Sequence, residues 1–324
     1  MHLSYLNYLL AFAASFAIVA AATPLFRSLA IRRDIFDGPD GPDGRKHQHQ
    51  PMPYLGGLAI ALGFTLVVLG GAFLDRPLSA NGWLAAGVVL PALGLGLIGL
   101  LDDIGGLGIF SRFAAQSLAA IITATISISL GSSASLFGNR FIDAIVTIFW
   151  VIGITNAINL LDNMDGLATG SVAISALGFF VIAAVNGQYL VAALSVALAG
   201  ACLGFLWHNW SPATIYMGDS GALFLGFLLA VIAVRLHFPH QSHMSALGAR
   251  LLILALPIID TSTVIISRLR RGVSPFQGAR DHLSHRLQRR GFSTRRTVVT
   301  LLAAAALVAA IGVVSGANLL GSGR

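Results

Sequence analysis

Glutamate is absent from this chain, so its 13 acidic residues are all Asp, and any carboxylate chemistry must come from them. Charge of either sign is scarce. Only 10% of the residues are charged, against about 25% in soluble domains, which excludes an ordinary soluble fold. Cysteine is almost absent too: Cys202, inside an apolar run, leaves no intrachain disulfide and no multi-cysteine metal cluster. What fills the chain instead is 56% hydrophobic residue and 36 Gly, gathered into long runs. This is the composition of a polytopic membrane protein. The net charge of +7 then says less than the side of the membrane on which the charge falls.

With about 20 residues per crossing as the ruler, about ten apolar segments stand out: 3–23, 54–74, 83–101, 112–130, 139–156, 167–186, 188–207, 219–237, 249–267 and 297–316. The expected fold is an all-α polytopic membrane protein with about ten transmembrane helices, forming one integral-membrane domain over residues 1–324. The first run has no basic residue before it and Arg27, Arg32 and Arg33 after it. That polarity suits a retained outside-to-inside anchor rather than a cleaved signal. With both termini outside, 15 of the 20 basic residues fall inside. Ten of the acids fall on the same side, among them Asp34, Asp37, Asp102, Asp103, Asp162, Asp165, Asp219 and Asp281. Acids contribute little to topology, so their convergence on the cytoplasmic face points to a site there.

The densest polar stretch is NAINLLDNMDGL, with Asn156, Asn159, Asp162, Asn163 and Asp165 between two apolar runs. Carboxylates and carboxamides offer hard oxygens suited to Mg²⁺ and to a nucleotide; the bland alternative is helix capping. Asp102 and Asp103 stand side by side at the end of the third run, where like charges raise one pKa and favour a base or a metal site over a plain solvated helix end. Asp219 lies between Gly218 and Ser220 at the start of an apolar helix, fit for a phosphate or for an N-cap. In the basic segment 268–296, the spacing of His282, His285 and Arg286 predicts one helical face, suited to a diphosphate or to acidic headgroups. Arg45, Lys46, His47 and His49 fit a lipid phosphate or ordinary positive-inside charge. The repeat DGPDGPDG lacks the spacing and terminal Glu of an EF-hand. Asp260 is an intramembrane acid three residues after Pro257, a functional candidate unless Thr261 or Thr263 satisfies it. His237, His240 and His243 read as a solvated loop rather than a metal site, since no carboxylate or Cys joins them.

Taken together, KHQHQPMPYLGG, the LDD pair, N-x-x-N-x-x-D-x-x-DG, GDSG and D-x-H-x-x-H-R-L follow one another in an order that resembles the polyprenyl-phosphate N-acetylhexosamine-1-phosphate transferase family, glycosyltransferase family 4. The resemblance covers nearly the whole length. Two departures stand out: Asn163 where the family often has Gly in DGxDGL, and Ser284 where it has His in HxHH. The run of His followed by Phe and Glu found in the last loop of the phospho-MurNAc-pentapeptide translocase is missing, which favours the branch that transfers a simple sugar phosphate.

The resemblance implies transfer of a sugar-1-phosphate, N-acetylglucosamine-1-phosphate in the favoured branch, from a UDP-N-acetylhexosamine to polyprenyl (undecaprenyl) phosphate, with release of UMP. It implies Mg²⁺, with Mn²⁺ as a substitute, on Asp219 and Asn159, and a catalytic role for Asp102 and Asp103. Asn156, Asp162 and Asp165 would hold the nucleotide sugar, His282, His285 and Arg286 the diphosphate or sugar, and Lys46 the lipid phosphate. It places the protein in the inner (plasma) membrane, with the site facing the cytoplasm, and admits a homodimer. The rival class is a transporter or lipid-handling protein, which also uses intramembrane acids, although the sequence carries no internal repeat.

Overall fold

The computed structural model describes residues 5–38, 51–75, 80–129, 139–239, 241–274 and 281–317. In chain order these form α1 (Tyr5–Arg32), β1 (Phe36–Asp37), β2 (Met52–Pro53), α2 (Gly56–Asp75), α3 (Ala80–Gly105), α4 (Ile109–Ser129), α5 (Arg140–Leu161), α6 (Leu167–Val185), α7 (Tyr189–Asn209), α8 (Gly218–Arg235), α9 (His243–Ile253), α10 (Ala255–Arg270), α11 (Leu283–Arg289) and α12 (Thr294–Gly316). Helix is the form an apolar chain takes in lipid, because it satisfies every backbone group internally. The molecule is an all-α polytopic membrane protein, and the two-residue antiparallel pair β1–β2 is the one sheet among the described residues.

Each apolar run of the sequence is helical, but the runs are not equivalent. Among the described residues, seven helices (α1, α3, α5, α6, α7, α8 and α12) are long and apolar enough to cross a membrane, while the apolar parts of α2 and α4 are shorter. The run 249–267 is a bent pair, α9 and α10, which meet at Leu254 with a 79° change of direction. The cause is Pro257: it has no N–H to give to the Ile253 carbonyl four residues back. Ser175 Oγ of α6 donates to that carbonyl instead, at 2.8 Å.

The core is organised around α8, whose residues from Ser220 to Val234 are all buried. Backbones come close to it where glycines allow. A Cβ on Gly99 of α3 would stand 2.4 Å from the Asp219 carbonyl, and one on Gly226 would stand 2.8 Å from Thr155 Cα of α5. At its far end, the buried Arg250 of α9 donates from Nε to the Ala233 carbonyl at 2.8 Å and from Nη2 to the Leu236 carbonyl at 2.6 Å. The same guanidinium lies 4.5 Å from the centroid of the Phe238 ring. A cation at the last carbonyls matches the helix dipole.

β1 and β2 bracket residues 39–50. Beyond β2 the chain zips onto the segment before α8: Tyr216 N–H donates to the Pro53 carbonyl at 2.9 Å, Gly56 N–H to Tyr216 O at 3.0 Å and Gly57 N–H to Met217 O at 3.0 Å. This ties the segment after the basic KHQHQ stretch to the GDSG turn.

Candidate active site

The start of α8 is built by a helix distant in sequence. Gly218 takes a left-handed conformation (φ +71°), which glycine alone adopts at no cost, and turns the chain into α8. The position before it, Met217, supplies no side-chain cap. Asp103 of α3 does so instead: Oδ1 accepts the Asp219 N–H at 2.9 Å and Oδ2 accepts the Ser220 N–H at 3.1 Å. Neither Asp219 nor Ser220 caps its own helix, and the Asp219 side chain turns to Asn159 and Arg112 instead. Tyr54 donates its hydroxyl to the Asp103 carbonyl; burial, then the charges of Asp103 and Asp37, pushes that phenol's pKa up.

The adjacent Asp102 faces a different partner. Arg112 Nη1 of α4 bridges Asp102 Oδ2 at 2.8 Å and Asp219 Oδ2 at 3.0 Å. Asn159 of α5 donates from Nδ2 to Asp219 Oδ1 at 2.7 Å. One turn away on α4, the buried Gln116 pairs with Asn156: Asn156 Nδ2 donates to Gln116 Oε1 at 2.5 Å and to the Ile152 carbonyl at 2.8 Å. The sequence pair Asp102–Asp103 is therefore split, one member in an ion pair and the other capping a helix. Asp102, Asp219, Asn159 and Arg112 form one cluster.

The loop between α5 and α6 closes the next side of the site. Gly166, left-handed at φ +74°, gives its N–H to the buried Asn209 side chain at 3.0 Å. Asp165 Oδ2 accepts the Ala213 N–H at 3.0 Å, and its charge and hydrogen bond, after burial, raise the pKa of Tyr216. Asp165 thus ties two loops together. Asp162 is different: it is half-buried, and its pKa is raised to about 8 by burial first, then by the charges of Asp219, Asp103 and Asp165.

α11 is docked on this loop. Ser284 Oγ donates to Asn163 Oδ1 at 2.6 Å, so the two departures from the family pattern face and satisfy each other. Leu283 and Leu287 pack with Leu161, Met164 and Leu167. His282 and His285 are buried, with ring centroids 5.7 Å apart. The expected single face does not extend to Arg286, which is exposed and donates to the Asp281 carbonyl at 3.1 Å. The reason is that His282 precedes the helix, and α11 begins only at Leu283. Asp281 itself is held by Ser267 and Arg271. Asp260 is not satisfied by Thr261 or Thr263: its Oδ2 lies 2.7 Å from His282 Nδ1, and its Oδ1 accepts the Leu283 N–H at 2.7 Å.

Several expectations lie elsewhere. Lys46, with Arg45, His47 and His49, lies outside the described residues, as does His240. His237 gives its N–H to Gln188, and His243 opens α9. Three residues not singled out from the sequence bond directly to the candidate residues: Arg112, counted there only as inside charge, Gln116 and Tyr54. For Arg112 and Gln116 the signal was present, since they lie four apart on a helix that begins just after the LDD pair and so share a face.

A hard divalent cation suits this donor set. Among the described residues no three His, Cys or Asp side chains stand at ligand spacing, but Mg²⁺ usually takes only one or two protein carboxylates and completes its shell with water and phosphate oxygens. Asp219 and Asn159 supply hard oxygens. Around them, among the described residues, three more carboxyl groups, Asp102, Asp103 and Asp162, stand against a single bridging guanidinium, Arg112.

The glycosyl transferase family 4 profile matches residues 85–237, which span α3 to α8 and hold Asp102, Asp103, Asn156, Asn159, Asp162, Asp165 and Asp219. The chain is 31% identical over 306 residues to a probable undecaprenyl-phosphate N-acetylglucosaminyl 1-phosphate transferase of Bacillus subtilis, covering 91% of this chain and 81% of that protein. It is 34% identical over 311 residues to the decaprenyl-phosphate N-acetylglucosaminephosphotransferase of Mycolicibacterium smegmatis, covering 86% and 75%. A phospho-N-acetylmuramoyl-pentapeptide-transferase of Geobacillus thermodenitrificans is 32% identical over 332 residues, covering 94% and 96%. With the motifs in order and the match extending over most of each relative, this membrane protein belongs to glycosyl transferase family 4.

Proposed function

We propose that the protein transfers a sugar-1-phosphate, N-acetylglucosamine-1-phosphate in the favoured reading, from its UDP-sugar to a polyprenyl phosphate such as undecaprenyl phosphate, releasing UMP. An oxygen of the lipid phosphate attacks the sugar-linked β-phosphorus. The bond from that phosphorus to the bridging oxygen breaks, and the electron pair leaves with UMP. Such a step depends on in-line positioning and charge neutralisation. The observation that carries the proposal is the cluster at the start of α8, where Asp219 is held by Asn159 at 2.7 Å and Arg112 at 3.0 Å. Names of relatives support the same reaction.

Mg²⁺, held by Asp219 and Asn159, would neutralise the diphosphate and polarise its oxygens. The chain's own groups do the rest. Asp102 orients the attacking phosphate and takes up its proton if it carries one. Asp103, with both oxygens on backbone N–H groups, is a positioning residue in this reading, which narrows the two-carboxylate expectation to Asp102. Asn156, Asp162 and Asp165 border the nucleotide-sugar, His282, His285 and Arg286 serve the diphosphate or sugar, and Lys46 the lipid phosphate. The chain forms a single domain with ten crossings, the bent pair α9–α10 counted as one, and both termini outside. The site then faces the cytoplasm across the plasma (inner) membrane.

The test is UMP release by the purified protein in detergent with undecaprenyl phosphate, UDP-N-acetylglucosamine and Mg²⁺. Release that needs both lipid and Mg²⁺ is the expected result. No release with that donor, nor with a panel of other UDP-sugars, sinks the enzyme reading in favour of binding or transport. Release only with the UDP-MurNAc-pentapeptide would move the chain to the second branch, to which one relative is 32% identical.

A further inference from the structure

We infer that Asp260 is a positioning residue that fixes the proton of His282 on Nδ1 and so presents Nε2 to the diphosphate of the substrate; this rests on the phosphotransferase reading. Asp260 lies on α10 with 1% of its surface exposed, a costly place for a carboxylate unless its partners are built in. Both oxygens are used. Oδ1 accepts the Leu283 N–H and Oδ2 faces His282 Nδ1, each at 2.7 Å. An ionised carboxylate can only accept, so the ring atom facing it must carry hydrogen. His282 is 6% exposed, and no described residue takes its Nε2.

The geometry divides the labour within α11. The Leu283 N–H bond caps the helix, and the Ser284–Asn163 bond docks it beside Asp162. The His282 bond alone selects a tautomer. With hydrogen held on Nδ1, the open Nε2 carries the lone pair in the neutral ring. On protonation it becomes a charged donor for a phosphate oxygen, its charge shared between that phosphate and Asp260.

Asp260→Asn separates the two roles. Asparagine has the same shape and its oxygen still accepts the Leu283 N–H, but its NH₂ now points at Nδ1 and can only donate. The hydrogen of the neutral ring must then sit on Nε2. Imidazole ¹⁵N spectra of histidine-labelled protein, recorded at a pH where the ring is neutral and with the His282 signals identified by their loss in His282→Gln, should report Nδ1–H in the native protein and Nε2–H in Asp260→Asn. UMP release by Asp260→Asn should lose about 10–100-fold in kcat, with KM for the UDP-sugar within a few-fold. A native spectrum with hydrogen on Nε2 overturns the inference, even if the variant does not fold. So does wild-type kcat in a folded Asp260→Asn. Failure of the native protein to release UMP at all would instead strike the reaction reading, because the spectrum needs no turnover.

Discussion

Asp103 and Asp260 sit on different helices, α3 and α10, and each gives both oxygens to the start of another helix. Asp103 accepts two backbone N–H groups of α8. Asp260 accepts one backbone N–H of α11 and meets an imidazole with its other oxygen. The first arrangement fixes a backbone, and its product is the location of the next side chain, Asp219. The second also fixes the identity of an atom, because it decides which ring nitrogen carries hydrogen. A carboxylate buried in an apolar helix can thus be a brace in one place and a chemical selector in another, and the partner's chemistry tells them apart.

The largest expected effect comes from removing what the brace presents. Asp219→Ala should lower UMP release by about 10²–10³-fold while the protein stays folded and monodisperse in detergent; near-native turnover would undo the metal assignment. Next comes the brace itself. Asp103→Asn turns one acceptor into a donor against an N–H, so it should cost about 1–3 kcal/mol of stability and about 10–100-fold in turnover. The contrast with Asp260→Asn, which preserves its helix cap, would be read by thermal unfolding. Equal loss of stability in both variants would erase the distinction between them.

A smaller effect concerns Asp162, which neither brace touches. Its pKa rises from 3.8 to about 8 on folding, so the folded state holds the proton more firmly. Its contribution is full below the unfolded value and is lost as pH climbs through about 8. Unfolding temperatures of metal-free protein should therefore fall between pH 5 and 9, and Asp162→Asn should flatten that slope. The smallest effect is the docking bond. Asn163→Gly and Ser284→His, singly and together, should show a coupling of about 1 kcal/mol in a double-mutant cycle; additive losses would mean that the two departures from the family pattern are independent.

Much of this was legible in the sequence because apolar runs and motif order are local properties. The existence of the apolar runs and the grouping of Asp102–Asp103, Asn159 and Asp219 needed only spacing and side-of-membrane reasoning. The boundaries needed more: α1 continues to Arg32, nine residues past the end of its apolar run. Partners were harder to read. Nothing local says that Asp103 caps α8 while its neighbour Asp102 pairs with Arg112, because the choice is made by the approach of α3 at Gly99, a contact across more than a hundred residues. The same holds for Asp260: Thr261 and Thr263 are near in sequence, whereas the true partners arrive from α11. Pro257 marks the place of the bend at Leu254, but the partner of the freed carbonyl, Ser175 of α6, lies 78 residues away in sequence. Arg112 was hidden by its own charge, which topology alone already explained.

The two ends of α8 carry a consequence for how the protein is made. Its first N–H groups are satisfied by Asp103 of α3, synthesised well before it, and its last carbonyls by Arg250 of α9, synthesised after it. A chain threaded into a bilayer from its N-terminus therefore carries a waiting carboxylate until α8 arrives, and then leaves the far end of α8 incomplete until α9 follows. The most buried helix of the molecule is finished only by its neighbours on both sides in time. A nascent chain that stalls between α8 and α9 would leave those carbonyls without the guanidinium that completes them, at the cost that every unsatisfied backbone group carries in lipid.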